Sequence, residues 1–176
     1  GNIAAKIAER LGFDDERMNK IRTAGYLHDI GKIGIAENIL NKKGKLDAQE
    51  RVIMNSHPEK SWRILQNTLE FSEISNIVLY HHEKWDGRGY PKGLKGNEIP
   101  LESRIISVAD AYDAMTNNRS YRKKISPAEA VEEIKKCSGT HFDPEIVQIF
   151  IRQILTYEEE LLKEDVNLPD QDSDSN

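Results

Sequence analysis

Three features of the sequence predict an all-α fold. Apolar residues recur at spacings of three and four almost throughout, the period of a helix with one buried face. Helix punctuation frames these stripes: Asp or Ser with Glu three residues on, Pro in first turns, Gly after last ones. No segment alternates apolar and polar residues as a half-buried strand does, and no internal repeat is visible.

The elements follow in order. Ile3, Ala4, Ile7, Ala8 and Leu11 make one stripe, stopped by Gly12. Asp14 or Asp15 caps a second helix whose apolar face runs through Met18, Ile21 and Gly25 to His28, with Leu27 beside it. Asp29 follows at once, and Gly31 is expected to end this helix. Residues 33–46, rich in Gly, Asn and Lys, are expected to form a loop. Asp47-x-x-Glu50 is a capping box for a short helix ending near Ser56. His57-Pro58 opens the next helix, with Trp62, Leu65 and Leu69 expected to face inward. Ile74, Ile77, Val78 and His81 continue a buried stripe. Residues 83–100 form a long Gly/Pro-rich loop, which in a compact domain marks function or motion. Residues 101–117 are the most buried helix, where Leu101, Ile105, Ile106, Val108, Ala109, Tyr112, Ala114 and Met115 leave little polar face. Between Ile105 and Met115 only Asp110 and Asp113 are charged. Ser126-Pro127-x-Glu129 starts another helix and Asp143-Pro144 the last, which buries Ile146, Val147, Phe150, Ile151 and Ile154.

Composition bounds the class. The 176 residues are 38% hydrophobic and 31% charged, the balance of one globular domain with a core of useful size. No apolar run approaches the roughly 18 residues of a membrane span, and no signal-peptide pattern opens the chain, so a cytoplasmic location is expected. A single cysteine, Cys137, excludes an internal disulfide framework and is expected to pack on an amphipathic helix. Gly1 in place of Met predicts a piece of a longer protein. The formal charge of −5 divides unevenly, with a net −7 on residues 157–176 and +2 on residues 1–156. The expected organisation is a folded domain over 1–156, then an acidic extension over 157–176 in which the last helix ends and a disordered tail follows. Basic clusters at Lys42-Lys43-x-Lys45 and at Arg119 with Arg122-Lys123-Lys124 suit solvated surface or a small phosphate ligand. The lack of a large positive excess argues against duplex nucleic acid.

A carboxylate inside an apolar helix, such as Asp110, is costly unless paired or bound to metal. His28-Asp29 ends one apolar stripe and His81-His82 another; taken singly, such a histidine is more often a hydrogen-bonded core residue, and such an Asp more often a cap or a partner of Arg. Jointly they say more, because four of the five histidines fall at helix ends or starts, two of them beside a second candidate ligand. Imidazole and carboxylate without thiolate suit Mn, Fe, Zn, Co or Ni rather than a structural zinc ribbon. An Asp between two metals about 3.5–4 Å apart can bridge them, and such a pair can clamp an in-line phosphoryl displacement. The residues alone therefore predict a His/Asp metal site in an all-α domain.

The motifs His28-Asp29-Ile30-Gly31-Lys32, His57-Pro58, His81-His82-Glu83-x-x-Asp86-Gly87-x-Gly89-Tyr90-Pro91 and Val108-Ala109-Asp110-x-Tyr112-Asp113-Ala114-Met115 resemble those of the HD-GYP family. That family is the branch of the HD-domain phosphohydrolases that degrades cyclic di-GMP. The similarity continues through Gly93-Leu94-x-Gly96, Ile99-Pro100-Leu101-x-x-Arg104-Ile105, Arg119-x-Tyr121-Arg122 and Gly139-Thr140-x-Phe142-Asp143-Pro144, and so spans residues 3–155. It implies an HD-domain-like helical bundle with a central buried metal site. His28, Asp29, His57, His81, His82 and Asp110 would bind two divalent first-row ions, Fe or Mn, with Asp29 as the bridge. Water activated by the metals would attack phosphorus in line, and Lys32 would stabilise the phosphate charge. Asp86, Gly87, Gly89 and Pro91 would shape the loop, Tyr90 would touch guanine or a partner such as a diguanylate cyclase domain, and Arg119 and Arg122 would grip the second phosphate. Asp113, one turn after Asp110, would orient a ligand or pair with Arg104 or Arg119. His141 is expected to brace the Phe142-Asp143-Pro144 cap, and Trp62 and Trp85 to pack.

Three departures from the family pattern stand out. Ser61 replaces a usual Gly after His57-Pro58, and Ser120 a usual Pro before Tyr121. A further metal-binding His, and in some members a Glu for a third metal, would precede Gly1. A fragment without them is expected to bind metal less tightly and to lack an N-terminal regulatory region. Two rival readings accompany the phosphodiesterase: a non-catalytic dinucleotide-binding or docking module, and an HD hydrolase of another nucleotide or cyclic dinucleotide.

Overall fold

Four of the helices begin on caps legible in the sequence. The computed structural model describes residues 1–117 and 124–166, with the backbone alone at 155 and 157–166. After α1 (Asn2–Arg10), α2 (Asp15–Leu27) starts where the Asp14 carboxylate accepts the Arg17 N–H at 2.8 Å. Reciprocal capping boxes open α4 (Ala48–Met54) at Asp47/Glu50 and α8 (Pro127–Lys136) at Ser126/Glu129. The last helix, α9 (Pro144–Val166), starts where Asp143 accepts the Glu145 N–H at 2.8 Å. Between these lie α3 (Glu37–Leu40), α5 (His57–Gln66), α6 (Ser72–Leu79) and α7 (Leu101–Thr116). No strand forms among the described residues, and none of their helices is long and apolar enough to cross a membrane.

The structure corrects several local expectations. Gly31 does not end α2, which stops at Leu27; Gly31 lies inside a 3-10 turn over Ile30–Gly34. Its lack of a side chain serves a close approach instead, since a Cβ there would stand 2.2 Å from the His57 carbonyl oxygen and 2.4 Å from the Ser61 nitrogen. The 33–46 segment is not all loop, because α3 forms within it. Leu69 does not face inward: α5 ends at Gln66, so Leu69 falls in the turn to α6 and is 94% exposed. Cys137 caps the end of α8 as a partly buried free thiol.

Packing follows the apolar stripes. α2 and α5 lie against α6, α5 also clasps the Ile30–Gly34 turn, and α1 lies against α2, α7 and α9. Ile7, Ile21, Val78, Ile105, Ile134 and Phe150 are fully enclosed, and Tyr112 meets Phe150 edge to face at 5.1 Å. One core thus holds the ends of α2 and α6, the start of α5 and the middle of α7 around a common space.

Candidate metal centre

The four imidazoles come from helix ends, and for three of them a backbone carbonyl there supplies the backing. Nδ1 of His28 donates to the Gly25 carbonyl at 2.8 Å, that of His57 to Met54 at 2.8 Å and that of His81 to Val78 at 2.6 Å. Each partner is a carbonyl three residues back, left free at the end of its turn. A carbonyl only accepts, so the proton sits on Nδ1 and Nε2 is the atom offered to the centre. Backing of this kind fixes ring orientation and makes a better metal ligand.

The Nε2 atoms converge. His57 Nε2 stands 3.2 Å from His82 Nε2 and 3.1 Å from Asp29 Oδ1. One ligand atom from each of Asp29, His57, His81 and His82 lies within 4.8 Å of the others. On the far side of Asp29, His28 Nε2 is 3.4 Å from Asp29 Oδ2 and 3.5 Å from Asp110 Oδ1, too long for good hydrogen bonds. His28 Nε2, His81 Nε2 and Asp29 Oδ1 are buried without a hydrogen-bond partner. Buried polar atoms are nearly always paired, so three orphans turned on one space mark a place for a cation. Four imidazoles and two carboxylates, with no thiolate, fit a divalent first-row metal ion.

The two sides of the centre differ electrostatically. Burial opposes charge on His28, but the Asp110 and Asp29 carboxylates outweigh it and raise the imidazole to about 10. Without metal, a proton supplies the positive charge between those carboxylates. Asp29 is held far below the usual carboxylate range, because His28, His57 and Lys32 outweigh its burial. Asp110 is also lowered, its burial offset chiefly by His28. On the other side, burial and the neighbouring His82 push His81 well down, and burial with His57 brings His82 to about 4. Both are therefore neutral near pH 7, the form a metal ligand needs.

The surrounding loop is anchored by Glu83, whose structural role the sequence reading missed. Although only 3% exposed, its carboxylate is fully used, accepting the N–H groups of Lys92 at 2.7 Å, Gly93 at 3.1 Å and Leu94 at 3.0 Å. A charged residue amid buried His81 and a Gly/Lys-rich loop was the available signal. Asp86 accepts the Arg88 N–H at 3.0 Å and pairs with its guanidinium. Gly87 turns the chain with its N–H on the Lys84 carbonyl, and the Tyr90–Pro91 peptide is cis. Gly89 packs so closely that a Cβ would lie 2.3 Å from the Lys84 nitrogen. This folding lays the Tyr90 ring on His82, centroids 5.0 Å apart.

Ser61 is also used more than its small size suggested. Fully buried, its hydroxyl accepts the Gly31 N–H at 2.8 Å and donates to the His28 carbonyl at 2.9 Å. It pins the His28–Gly31 segment to the helix that carries His57.

The structure thus brings His28, Asp29, His57, His81, His82 and Asp110 together, with the Lys32 ammonium on Asp29 Oδ2 and Tyr90 beside His82. Asp113 is set apart: it is exposed and accepts the Asn117 amide at 3.0 Å. The Arg104–Asp113 pair does not form, because Arg104 reaches Asp143 at 2.7 Å and Asn97 at 3.1 Å and lies over Trp85. His141 contributes through its backbone, its carbonyl accepting the Trp85 N–H at 3.0 Å while its ring is exposed. Trp62 is partly buried and donates to Asn76. Arg119, Ser120 and Arg122 lie outside the described residues.

Fold and site together define a helical His/Asp metal-centre domain. A family model described as HD domain matches residues 1–146, and the chain belongs to the HD domain family. It is 42% identical over 154 residues to a "Cyclic di-GMP phosphodiesterase" of Thermotoga maritima, covering 86% of this chain and 42% of that protein. It is 37% identical to "3'3'-cGAMP-specific phosphodiesterase 2" of Vibrio cholerae, covering 94% of this chain and 31% of that protein. It is 38% identical to the cyclic di-GMP phosphodiesterase response regulator RpfG of Xanthomonas campestris, covering 86% and 40%. The chain therefore spans less than half the length of these relatives. Among solved structures, an HDG"Y"P protein from Bdellovibrio bacteriovorus superposes with a TM-score of 0.69 at 21% identity, covering 88% of this chain and 49% of that one. A cyclic GMP-AMP-specific phosphodiesterase of V. cholerae superposes at 0.66 and 22% identity, covering 95% and 47%. At such identities these two likenesses concern the fold.

Proposed function

We propose that this chain is the catalytic domain of a metal-dependent phosphodiesterase that opens cyclic di-GMP to the linear dinucleotide, with GMP as the product should a second phosphodiester also be cut. The observation that carries this reading is Asp29, whose two oxygens face different ligand sets: Oδ1 toward His57, Oδ2 toward His28. A carboxylate so placed would suit a pair of ions, with His57, His81 and His82 as the residues that would hold one and His28 and Asp110 the other. Fe or Mn suits these donors, with a third ion reserved for a longer chain. When bound, the ions neutralise phosphate charge and make water a nucleophile near neutral pH. The chain's residues do the rest. The carbonyl-backed histidines hold their Nε2 atoms on the centre, and Asp29 sets the spacing. Lys32, already resting on Asp29 Oδ2, is the cation placed to meet phosphate oxygen. Tyr90, laid on His82, borders the substrate, and Arg119 and Arg122 are assigned to the second phosphate. Asp113 is assigned to ligand orientation beyond the direct contacts.

The relatives' names support the substrate class, and the ligand set from His28 to Asp110 favours turnover over mere binding. Three relatives are named as 3'3'-cGAMP-specific phosphodiesterases, which makes that dinucleotide the second reading. The domain is taken to span 1–156, with 157–176 as its acidic extension, a cytoplasmic location, and a regulatory region and a cyclase docking on the Tyr90 loop as partners. The test is product analysis of the chain loaded anaerobically with Fe(II) or Mn(II) and given cyclic di-GMP. Linear dinucleotide is expected; its absence with both metals, at confirmed metal content, overturns the assignment.

A further inference from the structure

The two halves of the centre ride on different pieces of backbone. His57 opens α5, and α5 packs on α6, whose end leads into His81 and His82. His28 and Asp29 lie past the last turn of α2, in the short joint before the Ile30–Gly34 turn. That joint belongs to neither helix. Ser61 reaches it from across the gap, one turn beyond His57 on α5 and fully buried.

A hydroxyl both donates and accepts, so one side chain can hold two unlike backbone groups. Ser61 Oγ accepts the Gly31 N–H at 2.8 Å and donates to the His28 carbonyl at 2.9 Å. The two bonds fall on either side of Asp29, whose oxygens face His57 and His28. They tie the Asp29 backbone to the helix that carries one of its partners. The bare Gly31 backbone permits this approach, since a Cβ there would stand 2.7 Å from Ser61 Oγ. Partners that hold a metal ligand from behind are worth roughly 10–100-fold in affinity.

We propose that Ser61 is a positioning residue of the metal centre, its hydroxyl fixing where Asp29 and His28 stand relative to His57. It touches no reacting atom. The ion expected with His28 and Asp110 should depend on it more than the ion expected with His57, His81 and His82, whose imidazoles stand at the start of α5 and the end of α6. With three imidazoles against one, the latter ion should also be the tighter. This rests on the two-ion part of the proposed function and adds to it a residue outside the ligand set.

The test is Mn(II) titration of the chain, wild type and variants, read by calorimetry and by electron paramagnetic resonance. In the wild type two ions should bind in two steps and give the spectrum of a coupled pair. Ser61→Ala strands the Gly31 N–H and the His28 carbonyl, so the weaker step should fall about tenfold or more while the tighter stays within about threefold. At equal loading the coupled spectrum should give way to that of single ions. Ser61→Gly leaves room for a water that can bridge the same two groups, so this deeper truncation should keep more of the weaker step than Ser61→Ala. A loss of fold alone would neither spare one step nor favour the smaller residue. If Ser61→Ala does not fold, Ser61→Cys, similar in shape but a weak donor and acceptor, is read by the same two steps. Both steps unchanged, both lowered alike, or Ser61→Gly weaker than Ser61→Ala would overturn the positioning role and leave the phosphodiesterase standing. A wild type that binds a single ion defeats both. The two steps decide the role of Ser61 even if the wild type, with two ions bound, leaves cyclic di-GMP uncut, a result that sinks the phosphodiesterase alone.

Discussion

Asp29 and Glu83 are two carboxylates beside the same histidines, and they were put to different uses. Glu83 directly follows His82, yet its carboxylate is taken up by three backbone N–H groups of one loop. Asp29 faces two imidazoles and a lysine, and one of its oxygens is buried without a hydrogen bond. A satisfied buried carboxylate stabilises the fold as it stands. One that remains unsatisfied among orphaned imidazoles costs stability unless a ligand completes it, and is therefore the mark of a binding site. Burial alone would have misranked them, since Glu83 is the more deeply buried.

That contrast can be broken by substitution. Glu83→Ala removes the acceptor of three loop N–H groups, two of them on the exposed residues Lys92 and Gly93, and should cost roughly 1–3 kcal/mol in urea denaturation. Added Mn(II) should not restore the native midpoint. If Glu83→Ala proved harmless, the loop would owe its shape to something else. Asp29→Asn should do the converse. Metal affinity, read by competition with a chelator, should fall by on the order of a hundredfold or more, while the metal-free chain loses less stability than with Glu83→Ala. Equal metal affinity in that variant would show that Asp29 is no ligand.

The smallest effect sharpens the contrast within the centre itself. His28, raised from 6.5 to about 10, contributes stability that is complete below pH 6.5 and fades as pH climbs toward 10. His82, lowered to about 4, keeps the full stability of its neutral form above pH 6.5 and loses it as pH falls toward 4. The melting temperature of the metal-free chain should therefore decline on both sides of about pH 6.5. Metal should flatten the alkaline side, because it takes over from the proton on His28. Calorimetry in buffers of different ionisation enthalpy should show about one proton released near pH 7. No release would mean that His28 stays outside the metal site.

Much of the fold was legible because its causes are local. The caps at Asp14, Asp47 and Ser126 act within three residues, and the apolar period of α7 needs no partner to be read. The readings that failed depended on distant neighbours. Leu69 continued a helical pattern in sequence, but α5 had ended before it. Gly31 is shaped by what stands opposite it, the backbone of His57 and Ser61, and Arg104 chose Asp143, 39 residues away, over Asp113.

The sequence by itself determined the ligand types and their presentation. Histidines placed at helix ends meet carbonyls three residues back, so their tautomer follows from short-range geometry. Tertiary structure decided that the four imidazoles would share one space, that Asp29 would stand between His28 and His57, and that loop N–H groups would take up the Glu83 carboxylate. Those outcomes depend on how α2, α5, α6 and α7 pack, and contacts between residues dozens of positions apart are set by the whole core rather than by any one stretch of chain.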